Sequence, residues 1–280
     1  MGADSLPRRI LKRALAPVLD ERSYKYVQAL SKVWDIRTKG WDEPELEILD
    51  QLVRPGDTVL DIGANYGLYA YHLSKCVGPR GRVIAFEPLP FTSATFKIVA
   101  RILRFRNVEL VERGCGERNE EISFTVPVQQ SGAIMAGLVH IKGRNNDRPG
   151  KELPGNALWA GTKDVTCQVV RIDDYLHDLE GVAFIKCDIE GADLYAMRGA
   201  QQTLTKHRPI VLMEINPWFL EGFGLKVEDI VSFFEGLGFG MYRLQNRMLV
   251  PTTAAQVVSA NYFFVPSDRR DRAGNLLSPS

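Results

Sequence analysis

Hydrophobic positions fall into two regimes along the chain. Before residue 54 the period is helical: Val27, Leu30 and Trp34 are spaced i, i+3, i+7, and Leu46, Leu49 and Val53 repeat that spacing. The second stretch has a start signal, with Asp42 as N-cap, Pro44 in the first turn and Glu45 three residues after the cap. Arg54-Pro55-Gly56-Asp57 ends it.

From Thr58 onward, short apolar runs alternate with helical segments. The runs at 59–62, 83–86, 108–111, 182–186 and 210–213 read as buried strands, and the segments at 65–77, 92–104, 192–206 and 227–237 as helices. Strands of this kind, separated by helices, predict a parallel sheet covered on both faces. Two extended runs interrupt the rhythm. Ile122, Phe124, Val126 and Val128 alternate with Ser123, Thr125 and Pro127 as a half-exposed strand, and 165–172 is a second. Between them, residues 129–161 carry six glycines and two prolines with little periodicity, which predicts an irregular arm. The runs 241–244 and 262–265 predict a closing antiparallel pair, and 267–280 a frayed polar tail. The expected organisation is a helical cap at 1–54, one α/β domain at 55–266 bearing the arm, and that tail.

A length of 280 residues, 45% hydrophobic and 25% charged, supports a self-sufficient globular core. The formal net charge of +1 leaves no global field for nucleic acid, and no nucleic-acid partner is predicted. Cys76, Cys115, Cys167 and Cys187 have neither C-x-x-C spacing nor histidines at zinc spacing, so they read as reduced thiols. No apolar run reaches the ~20 residues that span a bilayer. Residues 8–19 have the form of a basic amphipathic helix, shared by helices on a membrane surface and helices packed on their own domain. The second reading is adopted, with a cytoplasmic location.

The chemistry concentrates at the strand ends. The strand at 59–62 runs into Asp61-Ile62-Gly63-Ala64-Asn65-Tyr66-Gly67, a D-x-G-x-x-x-G turn opening a helix. Gly63 permits a tight turn and a close ligand approach, and Gly67 lets the helix start near the sheet. The spacing is not the G-x-G-x-x-G of dinucleotide sites, and Asp61 would repel phosphate, which disfavours a nicotinamide oxidoreductase. A carboxylate there suits a cationic amine or an ordered water. Glu87, followed by Pro88, closes the second strand where an acidic side chain grips both hydroxyls of a ribose. Lys186-Cys187-Asp188-Ile189-Glu190-Gly191 places charges just beyond another buried strand. Asp188 is the first candidate general base and Glu190 the second. Lys186 either orients Asp188 through its charge or extends to solvent.

These motifs resemble class I S-adenosylmethionine-dependent methyltransferases, and the fuller set resembles the FkbM-type family. The residues that carry the likeness are 61–67, Phe86-Glu87-Pro88, 184–192, Arg198-Gly199-Ala200, Met213-Glu214 and 263–266, spread over about 40–266. The resemblance implies a Rossmann-like seven-stranded sheet, mostly parallel with a C-terminal antiparallel strand and helices on both faces. It implies adenosylmethionine as donor, held by Asp61, Gly63, Asn65, Gly67, Glu87 and Pro88. It also implies methylation of a hydroxyl on a sugar, polyketide or related natural product. Asp193 stands where glutamate is usual, Met197 where leucine is commoner, and the arm fits no family pattern. Acceptor-side candidates are His72, Trp159, Glu214 and Asn216. Asp188, Glu214 and Asn216 also resemble the magnesium ligands of catechol-type O-methyltransferases; a metal is not favoured, but these three would hold it. The alternatives are a methyltransferase-like binding module without activity and a metal-assisted catechol-type enzyme.

Overall fold

The computed structural model describes residues 21–41, 43–129, 140–141 and 159–278. The chain opens with helix α1 (Glu21–Thr38), a 3-10 turn (Pro44–Glu47) and α2 (Leu49–Leu52). The alternating region follows as β1 (Thr58–Ile62), α3 (Leu68–Val77), β2 (Arg82–Phe86), α4 (Pro90–Leu103) and β3 (Val108–Val111). Then come β4 (Gly114–Gly116), β5 (Glu120–Gln129), β6 (His140–Ile141), β7 (Trp159–Arg171) and α5 (Ile172–Tyr175). Next are β8 (Val182–Cys187), α6 (Asp193–Gly199), α7 (Gln201–His207), β9 (Ile210–Ile215), α8 (Pro217–Glu221) and α9 (Val227–Gly236). The last elements are β10 (Phe239–Gln245), β11 (Met248–Pro251), β12 (Ala260–Pro266) and α10 (Arg270–Ala273).

The main sheet has the order β11-β10-β12-β9-β8-β1-β2-β3. Strands β3, β2, β1, β8 and β9 are parallel, and β12 runs antiparallel between β9 and β10. This is the expected methyltransferase sheet, with β11 added as an eighth strand in a hairpin with β10. Strand order runs outward from β1 through β2 to β3, then restarts beside β1 at β8. A crevice therefore opens at the carboxyl ends of β1 and β8. The pleat sends neighbouring residues to opposite faces. Ile185 and Phe264 join one apolar cluster with Phe86 and Phe234, while Phe184 and Phe263 join another with Leu73 and Val83.

A second sheet, β4-β7-β5-β6, stands at the mouth of the crevice. Its β5 and β7 form a long antiparallel ladder from Glu120↔Val169 to Gln129↔Trp159, so the expected arm is entered and left through a hairpin. Within the arm, His140–Ile141 pairs with Phe124 and Thr125. Residues 130–139 and 142–158 of the arm, the segment 8–19 and the expected cap Asp42 lie outside the described residues. Helix α1 packs on α4 through Ala29, Val33 and Ile36 against Val99 and Leu103.

Four sequence expectations change. The helix expected at 65–77 starts at Leu68, because Asn65 (φ 48°) and Gly67 (φ 89°) adopt left-handed backbone. The second N-terminal helix is reduced to the 3-10 turn and α2, and Glu45 is buried rather than positioned as a capping partner. The helix expected at 192–206 divides at Ala200, where Gly199 meets β4 so closely that a Cβ would overlap the Gly116 carbonyl oxygen. The polar tail is tied down through residue 278. Ala273 and Leu276 are buried, Leu277 bridges Leu249, and Arg272 pairs with Asp57. Among the described residues no helix is long and apolar enough to cross a membrane.

The Gly199 contact docks α6 onto β4. Gly199→Ala is expected to destabilise the fold by about 1–3 kcal/mol, the usual cost of overpacking. Chemical denaturation checks this, and an unchanged midpoint contradicts it.

Candidate active site

Three strand ends are stitched together by backbone hydrogen bonds. The Gly63 and Ala64 N–H groups donate to the Phe86 carbonyl at 3.0 and 2.9 Å, and Asp188 N–H donates to the Ile62 carbonyl at 3.0 Å. Gly63 (φ 80°) passes so close to β8 that a Cβ would overlap the Asp188 carbonyl oxygen. Only glycine satisfies both the left-handed backbone and this approach. The turn then delivers Asn65 N–H to Glu87 Oε2 at 3.0 Å, while Leu89 N–H donates to Oε1 at 3.0 Å. Glu87 is 5% exposed, and burial pushes its carboxyl up to about 7 against the pull of the Leu89 and Asn65 amides. One backbone donor on each oxygen fixes the carboxylate and leaves each oxygen a further lone pair.

Glu87 faces a cleft of about 350 Å³ also lined by Gly63, Asn65, Pro88, Asp188 and Glu190. Its walls include Ile62, Phe86, Leu89, Phe124, Val169 and Phe223. Beside it lies Lys186, 1% exposed, with Nζ 3.1 Å from Asp188 Oδ2 and 4.9 Å from the Tyr69 ring centre. Burial pulls this ammonium down, but Asp188, first by charge and then by hydrogen bond, and Asp61 outweigh it and leave the group raised. Lys186 thus orients Asp188 and does not extend to solvent. The turn after Asp188 is closed by Asp193, which accepts from Ile189 N–H at 3.2 Å and Gly191 N–H at 2.9 Å. Burial raises Asp193 to about 6, and Glu190 takes left-handed backbone (φ 55°) within this turn.

Not every predicted residue reaches the cleft. Asp61 lies beneath the loop, 1% exposed, with Oδ2 unpartnered; burial pushes it up to about 7 against the charge of Lys186. Gly67 faces Phe96 and Phe105 instead. His72 stands in α3 edge-on to Tyr71, its imidazole lowered by burial and then by Lys39. Trp159 opens β7 opposite Gln129. Asn216 caps α8, its Oδ1 accepting from Trp218 N–H at 3.1 Å. Glu214 does not line the cleft but hydrogen-bonds Asp188; burial and then the Asp188 charge raise it to about 8. The set Asp188, Glu214 and Asn216 is therefore committed elsewhere, with the Lys186 ammonium against Asp188. Among the described residues no group of three His, Cys, Asp or Glu side chains is arranged to hold a metal ion. Residues that sequence reasoning missed are Gly114, Cys115, Gly116 and Tyr195, all on the cleft wall. The Gly-Cys-Gly run just after the third strand was the available signal.

The profile of the Methyltransferase FkbM domain matches residues 61–241, more than half of the chain. The chain belongs to the FkbM methyltransferase family. It is similar to "Methyltransferase 1" of Beauveria bassiana, 26% identical over 52% of this chain and 59% of that protein. It is also similar to the AMB antimetabolite synthetase AmbE of Pseudomonas aeruginosa, 28% identical over 58% of this chain and 9% of that protein. The match thus spans less than two thirds of either curated relative. A crystal structure of an FkbM methyltransferase from Methylobacillus flagellatus aligns over 94% of this chain and 60% of that one, at 17% identity and TM-score 0.47.

An FkbM methyltransferase depends on adenosylmethionine, and the cleft fits that donor. Its volume suits a nucleoside bearing an amino-acid tail. Its walls are mostly apolar, and the paired acceptors of Glu87 match a vicinal diol.

The buried carboxyls of this FkbM methyltransferase give a pH signature. Asp61 and Glu87 keep protons in the folded chain up to about 7, whereas their ordinary values are 3.8 and 4.5. Ionising them therefore opposes folding, and stability without donor should fall as pH rises from about 4 to about 7, by roughly 2–4 kcal/mol for a group shifted this far. Asp61→Asn should flatten that decline, measured by denaturation at pH 5, 6 and 7. A wild-type stability that rises over this range contradicts the assignment.

Proposed function

We propose that this FkbM methyltransferase methylates a hydroxyl oxygen of a small polar molecule of the sugar or polyketide class, with Asp188 as general base. The observation that carries the reading is the Asp188 carboxylate on the cleft wall with Lys186 Nζ 3.1 Å away. When bound, adenosylmethionine supplies an electrophilic methyl group on a sulfonium. Glu87 accepts hydrogen bonds from the two ribose hydroxyls, while the bare backbone at Gly63 and the walls at Asn65 and Pro88 seat the rest. Asp188 takes the proton of the acceptor hydroxyl as its oxygen attacks, and Lys186, 3.1 Å away, holds the carboxylate in place. Glu190, on the same wall, positions the acceptor. Methyl transfer is in line, so most of the rate comes from this positioning.

Calorimetry with S-adenosylhomocysteine tests the donor site: Glu87→Ala should weaken binding by about 1.5–3 kcal/mol, roughly 10- to 150-fold. No heat from the wild-type protein would end the reading. For the base, Asp188→Asn should lower labelled-methyl transfer into a small-molecule extract by at least ~10² with donor affinity nearly unchanged. Unaltered transfer would move the base elsewhere.

A further inference from the structure

Next to Asp188, outside the donor cleft, a second group of polar side chains gathers at the strand ends. Asn261 on β12 is in register with Glu214 on β9, and Asp188 leaves the adjacent end of β8. From above, Glu43 Oε2 accepts from Tyr69 Oη at 3.0 Å and Asn261 Nδ2 at 3.2 Å. Glu45 shares a side-chain hydrogen bond with Asn261 and lies within reach of the Glu43 and Lys186 charges. None of Glu43, Glu45, Glu214 and Asn261 lines the donor cleft.

The hydrogen-bond inventory of this group is lopsided. The Tyr69 hydroxyl is spent on Glu43, the Asn261 amide on Glu43 and Glu45, and the Lys186 ammonium on Asp188, which also shares a hydrogen bond with Glu214. Glu45 is 6% exposed and its Oε2 has no partner; Asn261 Oδ1 has none either. The opposite charge that acts on Glu45 and Glu214 is that of Lys186, already paired with Asp188. Burial raises Glu45, with the Glu43 charge adding to it. Buried acceptors without donors are costly unless something supplies them, and one ammonium shared among several carboxyls leaves a place for a second. The Asp188 side chain is 42% exposed, and Glu43, Glu214 and Asn261 are half-buried, so the group is open to an incoming molecule.

We infer that Glu43, Glu45, Glu214 and Asn261 form the acceptor site, and that it takes a molecule bearing an ammonium group beside the hydroxyl to be methylated, the chemistry of amino sugars and amino alcohols. This rests on the hydroxyl-methylation reading above. The ammonium supplies donors to Glu45 Oε2 and Asn261 Oδ1 and a second positive charge to this group of carboxyls, while the neighbouring hydroxyl is left at Asp188. A phosphate or carboxylate on the acceptor would meet like charge at this wall.

The test is calorimetric titration of the full chain with glucosamine, N-acetylglucosamine and glucuronate, with and without saturating S-adenosylhomocysteine. Glucosamine should bind at least about tenfold more tightly than the other two, since only it brings a charged donor. Glu45→Gln should remove that preference and leave S-adenosylhomocysteine affinity unchanged. Glu214→Gln, on a different element, should do the same and serves if the first variant loses its fold. Equal or tighter binding of N-acetylglucosamine or glucuronate, no heat from any of the three, or a preference that survives both variants overturns the assignment. Failure of S-adenosylhomocysteine to bind overturns the donor reading instead, and the titrations without it still decide the acceptor class.

Discussion

A fully buried ammonium is the constraint around which this site is built. Lys186 is in register with Asp61 on β1 and pairs with Asp188 just beyond the end of β8. A charge taken out of water at that depth is tolerable only with opposite charge beside it, and removing a partner from such a pair typically costs about 3–5 kcal/mol. The β1–β8 register is therefore specified by electrostatics as well as by apolar packing. One consequence is that Asp188 projects at the crevice in a fixed direction. Another is that Asp61, which looks like a ligand contact in sequence, lies beneath the loop in register with Lys186 rather than in the cleft.

The topology divides the chemistry on either side of Asp188. Toward β2 and the second sheet lies the mostly apolar cleft, with Glu87 fixed by two backbone amides in a position suited to a nucleoside. Toward β9 and β12 lie Glu43, Glu45, Glu214 and Asn261, of which Glu45 Oε2 and Asn261 Oδ1 lack donors. The 3-10 turn that follows helix α1 carries buried Glu45, with Glu43 as its N-cap, so in the acceptor site inferred above the N-terminal segment supplies two of the four side chains.

The sheet was legible because its strands are short apolar runs separated by helical periods, and the Gly63 turn and Glu87 because strand, turn and acidic residue follow one another at fixed spacing. Contacts that depend on distant segments were not. Asn216 beside Glu214 resembles a metal ligand in sequence, yet the helix that begins at Pro217 uses its oxygen as a cap. Glu45 resembles a capping partner, yet the collapse of that helix to a 3-10 turn buries it near Lys186. Lys186 is ambiguous in one dimension because a lysine next to an aspartate is equally at home in water; only the strand pairing encloses it. Helix 192–206 is broken by Gly199 meeting Gly116, two residues far apart in sequence whose periodicities carry no trace of the encounter.

The central claim is that Glu87 holds the sugar of the methyl donor and so aims it at Asp188. A crystal structure of the chain with S-adenosylhomocysteine measures this directly. Both Glu87 oxygens should stand about 2.5–3.0 Å from the two ribose hydroxyls, with the sulfur facing Asp188. A nucleoside bound elsewhere, or a Glu87 that still contacts only the Asn65 and Leu89 amides, would contradict the account.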